Sequence, residues 1–198
     1  MRIGIDIDGV LTDEKGYIID YGTKFFSENN IPYIVHNDRF EGEEIFGVTK
    51  EQYKFFFDNY IFNYSVNSPI RPFAREIIKK LKEEHKIIII TGRDFTTYKN
   101  EYQIKMQEIV KKWLYDNGIL YDEIIFSKNK DIICEQKKID IMIEDNPENI
   151  ASISKKIPVL CYTQSYNKNI INENIYKCYS WYDIYNKISL LKSEINLK

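Results

Sequence analysis

The stretch IGIDIDGV, residues 3–10, opens the chain with apolar positions and then places two carboxylates before a glycine. Isoleucine-rich alternation over residues 2–8 predicts a buried strand that ends at Gly9. Asp6 and Asp8 are two positions apart, so both side chains can reach one pocket at the end of that strand. Two aspartates after an apolar strand are also typical of the start of a turn, so this stretch needs support from elsewhere.

Strand and helix patterns alternate from residue 73 onward. Apolar runs predict further strands at 86–90, 123–126, 139–143 and 157–161. Helical periodicity and capping residues predict helices at 73–84, 98–117, 129–136, 147–154 and 181–193. Strands that alternate with helices favour an α/β fold, in which helices cover both faces of a parallel sheet. We therefore predict a three-layer, Rossmann-like core.

Three polar clusters follow predicted strands, at the edge of the sheet where ligands bind in such folds. Asp6 and Asp8 end the first strand, Thr91 follows the second, and Glu144 and Asp145 follow the fourth. Taken singly, each cluster also fits a polar turn or a helix cap. Their joint occurrence at strand ends predicts that they meet in one site.

The acidic residues fit a magnesium site. A hard cation such as Mg²⁺ takes oxygen ligands, usually one or two carboxylates together with phosphate and water. Asp6 and Asp145 can supply those carboxylates from separate strand ends. Where two carboxylates share a pocket, one can attack phosphorus while the other handles a proton.

A phosphate under attack carries dispersed negative charge, which hydroxyl, amide and lysine donors stabilise. Thr91 and the amide of Gly92 fit the first two needs, and Lys128 or Lys130 fits the third. Either lysine alone is typical of a solvated surface, so these residues leave the choice between them open.

Composition argues against several other kinds of site. A net charge of −2 provides no basic field for a nucleic-acid polymer. Three widely spaced cysteines and two histidines argue against zinc and favour reduced thiols. The longest apolar run, residues 87–90, is too short to span a bilayer, and Asp6 and Asp8 interrupt any signal-peptide pattern. We expect a cytoplasmic protein with a small-molecule ligand and no membrane partner.

Residues 14–66 differ from the rest of the chain because aromatic residues are concentrated there. Helices are predicted near 19–29 and 50–60, the second of them with a capping signal that starts at Thr49. Aromatic residues at helical spacing more often form a core than bind a ligand, and we expect most of these to be core.

The motifs and their order resemble those of the haloacid dehalogenase (HAD) superfamily of phosphohydrolases. Asp6 and Asp8 match its DxD motif, Thr91 its second motif, and Glu144 and Asp145 its acidic fourth motif, while a lysine forms the third. The resemblance implies that Asp6 forms an aspartyl-phosphate. It also implies that Asp8 protonates the leaving oxygen and then activates water.

The same resemblance implies a ligand set for Mg²⁺. The metal would be held by Asp6, the main-chain carbonyl of Asp8 and Asp145, with support from Glu144 through water. Thr91 and the motif-three lysine would bind the phosphoryl group.

Two lysines compete for the third motif. We prefer Lys130, because it begins the predicted helix that leads into the strand before motif four, and Lys128 is its rival.

A long insertion between the first and second motifs forms a helical cap in this superfamily. The resemblance therefore implies a small helical cap at residues 14–69, inserted after the first strand, and a catalytic core at residues 1–13 and 70–198. Such a cap excludes water and selects the substrate. This layout, with the stretches IEDNPEN, residues 143–149, and SYN, residues 165–167, resembles the bacterial nucleotidases related to the cytosolic 5′(3′)-deoxyribonucleotidases. That resemblance implies nucleoside monophosphates as substrates.

Two other functions stay open. The stretches DGVLTD, residues 8–13, and ITGR, residues 90–93, also resemble the KDO 8-phosphate phosphatases, which lack a large cap. A sugar phosphate is therefore an alternative substrate. A non-catalytic phosphate-binding regulatory protein on the same fold is a third alternative, although it would not need Asp8 as a general acid. The sequence leaves the oligomeric state open, a dimer included.

Overall fold

The computed structural model describes the backbone of residues 1–195 and the side chains of residues 1–192. The strands are β1 (Arg2–Ile5), β2 (Lys86–Thr91), β3 (Glu123–Phe126), β4 (Ile141–Glu144), β5 (Val159–Tyr162) and β6 (Ile175–Cys178). The helices are α1 (Glu14–Glu28), α2 (Gly42–Phe46), α3 (Lys50–Asn67), α4 (Ala74–Lys82), α5 (Glu101–Asp116), α6 (Lys130–Gln136), α7 (Pro147–Ile153) and α8 (Trp181–Ile195). The last three residues of the predicted core range 70–198 lie outside the described residues.

The described strands form one parallel sheet in the order β3-β2-β1-β4-β5-β6. Apolar residues of α4, α5 and α8 pack on one face of the sheet. Apolar residues of α6 and α7 pack on the other face. The predicted three-layer, Rossmann-like α/β fold is therefore confirmed. No helix within residues 1–195 combines the length and the apolar character needed to cross a membrane.

Strand β1 occupies the centre of the sheet and pairs with both β2 and β4. Its Ile3 and Ile5 are fully buried in the core, which explains the apolar alternation at the start of the chain. In open α/β sheets the ligand crevice lies outside the carboxyl ends of the strands, where the strand order reverses. Asp6 directly follows β1 and therefore lies at that point.

Strand β6 was not predicted from the sequence. It pairs with β5 at the edge of the sheet, and within it Cys178 is fully buried while the three preceding residues are half-buried. An edge strand needs no continuous apolar run, and this one follows a polar, asparagine-rich stretch, so periodicity gives little signal. The loop that joins β5 to β6 begins at the carboxyl end of β5, at the same edge of the sheet as Asp6.

Helices α1 and α3 extend beyond their predicted bounds. Helix α1 begins earlier than predicted because a carboxylate oxygen of Asp13 accepts a hydrogen bond from the amide of Gly16 at 3.3 Å, which caps the helix. The capping signal before α3 is confirmed, since Thr49 and Gln52 exchange hydrogen bonds of 2.9 and 3.2 Å. Helix α3 continues past residue 60 because Tyr64, in its last turns, is buried.

Aromatic residues of α1, α2 and α3 form a core of their own. Phe25, Phe26, Phe46 and Phe56 are buried together, and the ring centroids of Phe26 and Phe46 are 4.9 Å apart. Phe55 is an exception, with 54% of its surface exposed. Most of the described aromatic residues of this segment are therefore structural.

Candidate active site

Three carboxylates meet where β1 and β4 end side by side. Asp6 follows β1 and its amide donates a hydrogen bond to the carbonyl of Ile143 in β4, at 3.1 Å. Glu144 is the last residue of β4, and Asp145 follows it. One oxygen from each of Asp6, Glu144 and Asp145 lies within 4.8 Å of the other two, and all three residues are buried. Buried carboxylates at this spacing need cations, because their mutual repulsion is weakly screened.

Lys130 supplies one of those cations. Its Nζ lies 2.6 Å from Asp6 and 2.7 Å from Glu144, and the side chain is buried. Burial alone lowers the pKa of Lys130, but the two carboxylates raise it overall, so the ammonium stays charged. Burial and the charge of Glu144 still raise the pKa of Asp6 well above its ordinary value, since Lys130 offsets them only in part.

Asp8 is held by two residues that the sequence interpretation did not assign to the site. Nε of Arg93 donates to both carboxylate oxygens, at 3.0 and 3.1 Å, and Nη2 donates to one of them. The hydroxyl of Tyr64, on α3, donates to the same carboxylate at 2.6 Å. Burial raises the pKa of Asp8, but Arg93 and Tyr64 outweigh it and lower the pKa overall.

Thr91 is the last residue of β2 and Gly92 follows it, and of the two Thr91 is the more deeply buried. Thr91 is fully buried, and its Oγ1 accepts a hydrogen bond from the amide of Arg93 at 3.2 Å. Gly92 lines the cleft, and a Cβ added there would lie 3.2 Å from the carbonyl oxygen of Ser127. The absence of a side chain at Gly92 therefore lets two loops approach each other beside the cleft.

Lys128 lies apart from the carboxylate cluster. Its Nζ is 3.0 Å from Asp94 and its side chain is 54% exposed, whereas Lys130 is buried against Asp6. Both lysines line the cleft. Among the described side chains, Lys130 is the lysine that contacts Asp6.

Asp145 is oriented by the loop between β5 and β6. The hydroxyl of Tyr166 donates to its carboxylate, and Nδ2 of Asn167 donates to its main-chain carbonyl at 2.7 Å. Gly9 lies against the same carboxylate with a φ of +74°. Burial and the charge of Glu144 raise the pKa of Asp145 well above its ordinary value, although Tyr166 lowers it in part. Residues 162–180, for which the sequence suggested no role beyond packing, therefore reach the site.

These groups lie in a cleft of ≈ 330 Å³. Its base includes Asp6, Asp8, Lys130 and Asp145. Its wall from the aromatic-rich segment consists of Glu14, Phe40, Phe57, Ile61 and Tyr64. The cleft therefore combines a strongly polar base with a largely apolar wall, which suits a ligand with one charged end and one apolar end.

Comparison with known proteins identifies the family. The family described as "5′ nucleotidase, deoxy (Pyrimidine), cytosolic type C protein" matches residues 1–194. The chain belongs to this nucleotidase family. Since the match covers nearly the whole chain, it includes every residue of the cleft described above.

Two relatives of the nucleotidase agree with that assignment. A protein of Chlorobaculum tepidum named "Putative 5′(3′)-deoxyribonucleotidase" is 31% identical over 200 residues, which cover 94% of this chain and 89% of the relative. A nucleotidase of Clostridium acetobutylicum is 28% identical over 204 residues, which cover 98% of this chain and 97% of the relative.

Solved structures confirm the fold of the nucleotidase. A haloacid dehalogenase-like family hydrolase from Streptococcus pneumoniae has a TM-score of 0.61 at 14% identity, covering 94% of this chain and 97% of its own. A haloacid dehalogenase-like hydrolase from Xanthomonas campestris has a TM-score of 0.63 at 10% identity, covering 100% and 98%. The predicted resemblance to the HAD superfamily is therefore confirmed for the fold, and the resemblance to its nucleotidases is confirmed by the family match and the relatives.

Sequence reasoning did not assign Arg93, Tyr64 and Glu14, which line the cleft, as site residues. It also did not assign Tyr166, which contacts Asp145. Arg93 offered a weak signal, since it is a charged residue two positions after Thr91 at a strand end. Tyr64 offered none, because the chain contains 16 tyrosines and spacing does not distinguish this one. Tyr166 lies in the SYN stretch that contributes to the resemblance to nucleotidases, but that resemblance assigned it no role.

Proposed function

We propose that this nucleotidase hydrolyses phosphomonoesters with the help of Mg²⁺ and through an aspartyl-phosphate on Asp6, and that its substrates are nucleoside monophosphates. The observation that carries the proposal is the surroundings of Asp6. Its carboxylate lies 2.6 Å from a buried ammonium, beside two further acidic residues, at the base of a cleft. A nucleophilic carboxylate needs a nearby cation while it approaches an anionic phosphate.

The donor set fits Mg²⁺. Asp6, Glu144 and Asp145 offer buried carboxylate oxygens within 4.8 Å of one another, and hard oxygen ligands suit this ion. In the proposed site Asp6 and Asp145 hold the metal with the main-chain carbonyl of Asp8, and Glu144 supports it through water. When bound, Mg²⁺ supplies positive charge that offsets the charge of the carboxylates and the phosphate.

Lys130 is the proposed motif-three lysine. It orients Asp6 through the 2.6 Å contact between Nζ and the carboxylate. Lys128, in contrast, is largely exposed and pairs with Asp94. The phosphoryl group binds between Lys130, Thr91 and the amide of Gly92 in the proposal. Support comes from the shared strand-end location of Thr91 and Gly92 and from the cleft-lining positions of Gly92 and Lys130.

Asp8 is the proposed acid and base. The ionised form that Arg93 favours can remove a proton from the water that attacks the aspartyl-phosphate. Protonation of the leaving oxygen requires Asp8 to carry a proton first. We expect the bond from Arg93 to Asp8 to loosen when the substrate phosphate offers the guanidinium another anion.

Residues 14–69 are the proposed cap, and residues 1–13 and 70–198 the proposed core. The support is that this segment has its own aromatic core and contributes Glu14, Phe57, Ile61 and Tyr64 to the cleft wall. A largely apolar wall above a phosphate-binding base suits a nucleoside. The names of the family and of the Chlorobaculum tepidum relative favour nucleotides, and the word cytosolic in the family description favours a cytoplasmic location.

The proposal is tested by phosphate release from purified protein with Mg²⁺. The substrate panel contains nucleoside monophosphates, sugar phosphates and an aryl phosphate. Asp6→Asn is expected to lower kcat at least about 10³-fold, as loss of a catalytic nucleophile does. Asp20→Asn, the same change at an exposed position of α1, is the matched control.

Three outcomes would contradict the proposal. Turnover that survives EDTA would exclude the metal site, and sugar phosphates with the highest kcat/KM would favour the alternative substrate class. No turnover of any ester by the wild-type protein would support a non-catalytic phosphate-binding protein.

A further inference from the structure

Glu14 is a carboxylate of the cleft that the proposed reaction does not use. It is the first residue of α1, it is half-buried, and it lines the cleft together with Asp8 and Arg93. Among the side chains described for residues 1–192, none donates a hydrogen bond to it or forms an ion pair with it. Its carboxylate oxygens are not among the buried, unpaired polar atoms, so they stay within reach of water. A ligand that displaces this water must supply hydrogen-bond donors in its place.

Arg93, whose positive charge acts on Glu14, already contacts Asp8. Burial and the charge of Asp8 raise the pKa of Glu14, so its surroundings disfavour the ionised carboxylate. Hydrogen-bond donors from a ligand would remove this penalty.

The wall beside Glu14 is apolar. Phe57, Ile61 and Tyr64 line the cleft with it, and the same four residues also line a small recess of ≈ 20 Å³ between α1 and α3. A group that packs on this wall would lie beside the Glu14 carboxylate, which lines the same cleft and recess. The ligand that fits therefore has an apolar face and an edge that carries hydrogen-bond donors.

We propose that Glu14 is a specificity-determining residue, which accepts hydrogen bonds from N–H or O–H donors on the leaving group of the phosphate ester. This inference rests on the proposed function and adds a selection rule to it. A carboxylate can accept two parallel hydrogen bonds, such as those from the amino and imino groups of a nucleobase or from neighbouring sugar hydroxyls. A carbonyl oxygen in the same place would be repelled.

The test compares substrates that differ in one donor. dGMP carries a 2-amino group that dIMP lacks. dCMP carries an amino group where dUMP carries a carbonyl oxygen. Ribonucleotide and deoxyribonucleotide pairs differ in the 2′-hydroxyl. For at least one pair, the wild-type protein is expected to show at least about a 10-fold higher kcat/KM for the member that carries the donor. The pair that responds shows whether the base or the sugar faces Glu14.

Glu14→Leu is expected to bring the kcat/KM ratio of the responding pair to within about 2-fold of unity. Glu14→Gln keeps one acceptor oxygen and is expected to give a ratio between those of the wild-type protein and Glu14→Leu. The matched control is Glu101→Leu, because Glu101 is also the first residue of a helix but is exposed and lies outside the cleft lining. This control should retain every wild-type ratio.

Binding provides a readout that does not need turnover. In an Asp6→Asn background with Mg²⁺, the ratios of Kd from calorimetry should respond to Glu14→Leu in the same direction. Equal ratios with and without Glu14→Leu, or no discrimination within any pair, would overturn the inference. No turnover by the wild-type protein would contradict the proposed function instead, while the Kd ratios would still test Glu14.

Discussion

Replacing Gly9 by alanine is expected to disable the site through Asp145. An added Cβ would lie 1.9 Å from Oδ2 of Asp145, whereas real Cβ atoms essentially never approach closer than 3.0 Å. The carboxylate or the loop must therefore move by about 1 Å, and a misplacement of that size can lower activity about 10²-fold. The hydrogen bonds from Tyr166 and Asn167 oppose the movement of Asp145. We expect kcat/KM to fall about 10²-fold and the Mg²⁺ affinity to fall with it.

Gly47 offers a matched control for the backbone cost. Its φ is +61°, against +74° at Gly9, and the nearest atom to an added Cβ is Nε2 of His36 at 3.7 Å, an ordinary contact. A side chain in this region of φ costs about 1–2 kcal/mol in either variant. Urea denaturation should therefore show this backbone cost in both variants, with a further loss of unfolding free energy in Gly9→Ala from the displaced Asp145. Only Gly9→Ala should lose activity. The reasoning is refuted if Gly9→Ala keeps kcat/KM within about 3-fold of Gly47→Ala.

The remaining predictions concern the two lysines and Tyr166. Lys130→Met should lower the free energy of unfolding in urea by about 3–5 kcal/mol, because it leaves buried carboxylates unpaired. Lys128→Met removes an exposed ion pair and should lower that free energy by less than about 1 kcal/mol. Lys130→Met should also cause the larger loss of kcat, and equal losses of kcat would contradict the choice of motif-three lysine. Tyr166→Phe removes the hydroxyl that donates to Asp145, and calorimetry should show about 10-fold weaker Mg²⁺ binding. The control is Tyr179→Phe, the same change at an exposed position. An unchanged Kd for Mg²⁺ in Tyr166→Phe would show that this hydrogen bond does not orient a metal ligand.

Strands β1 to β5 could be predicted because their apolar patterns are clear, whereas β6 gave little signal. Isoleucine alternates with other residues in β1 and forms a continuous run in β2, polar residues come at or directly after the end of both, and several helices show clear periodicity. Once these strands are parallel, Asp6, Thr91 and Asp145 must lie at the same edge of the sheet. Periodicity alone therefore predicted both the fold and the gathering of these residues.

The contacts around Asp8 could not be predicted in that way. Asp8 meets Tyr64 and Arg93 across sequence separations of 56 and 85 residues, and both contacts depend on how α3 and the loop after β2 pack. The sequence favoured Lys130 over Lys128 only through the predicted start of the helix after β3. Both follow β3, and they differ in whether the side chain points into the buried cluster, which depends on where α6 begins.

The central claim is that Asp6 becomes phosphorylated during turnover. The most direct measurement is a rapid acid quench with an active substrate, followed by borohydride reduction, which converts an aspartyl-phosphate to homoserine. Peptide mass spectrometry should find homoserine at position 6 in the wild-type protein and none after quenching without substrate. Homoserine at position 8, or none at any aspartate while phosphate is released, would contradict the account.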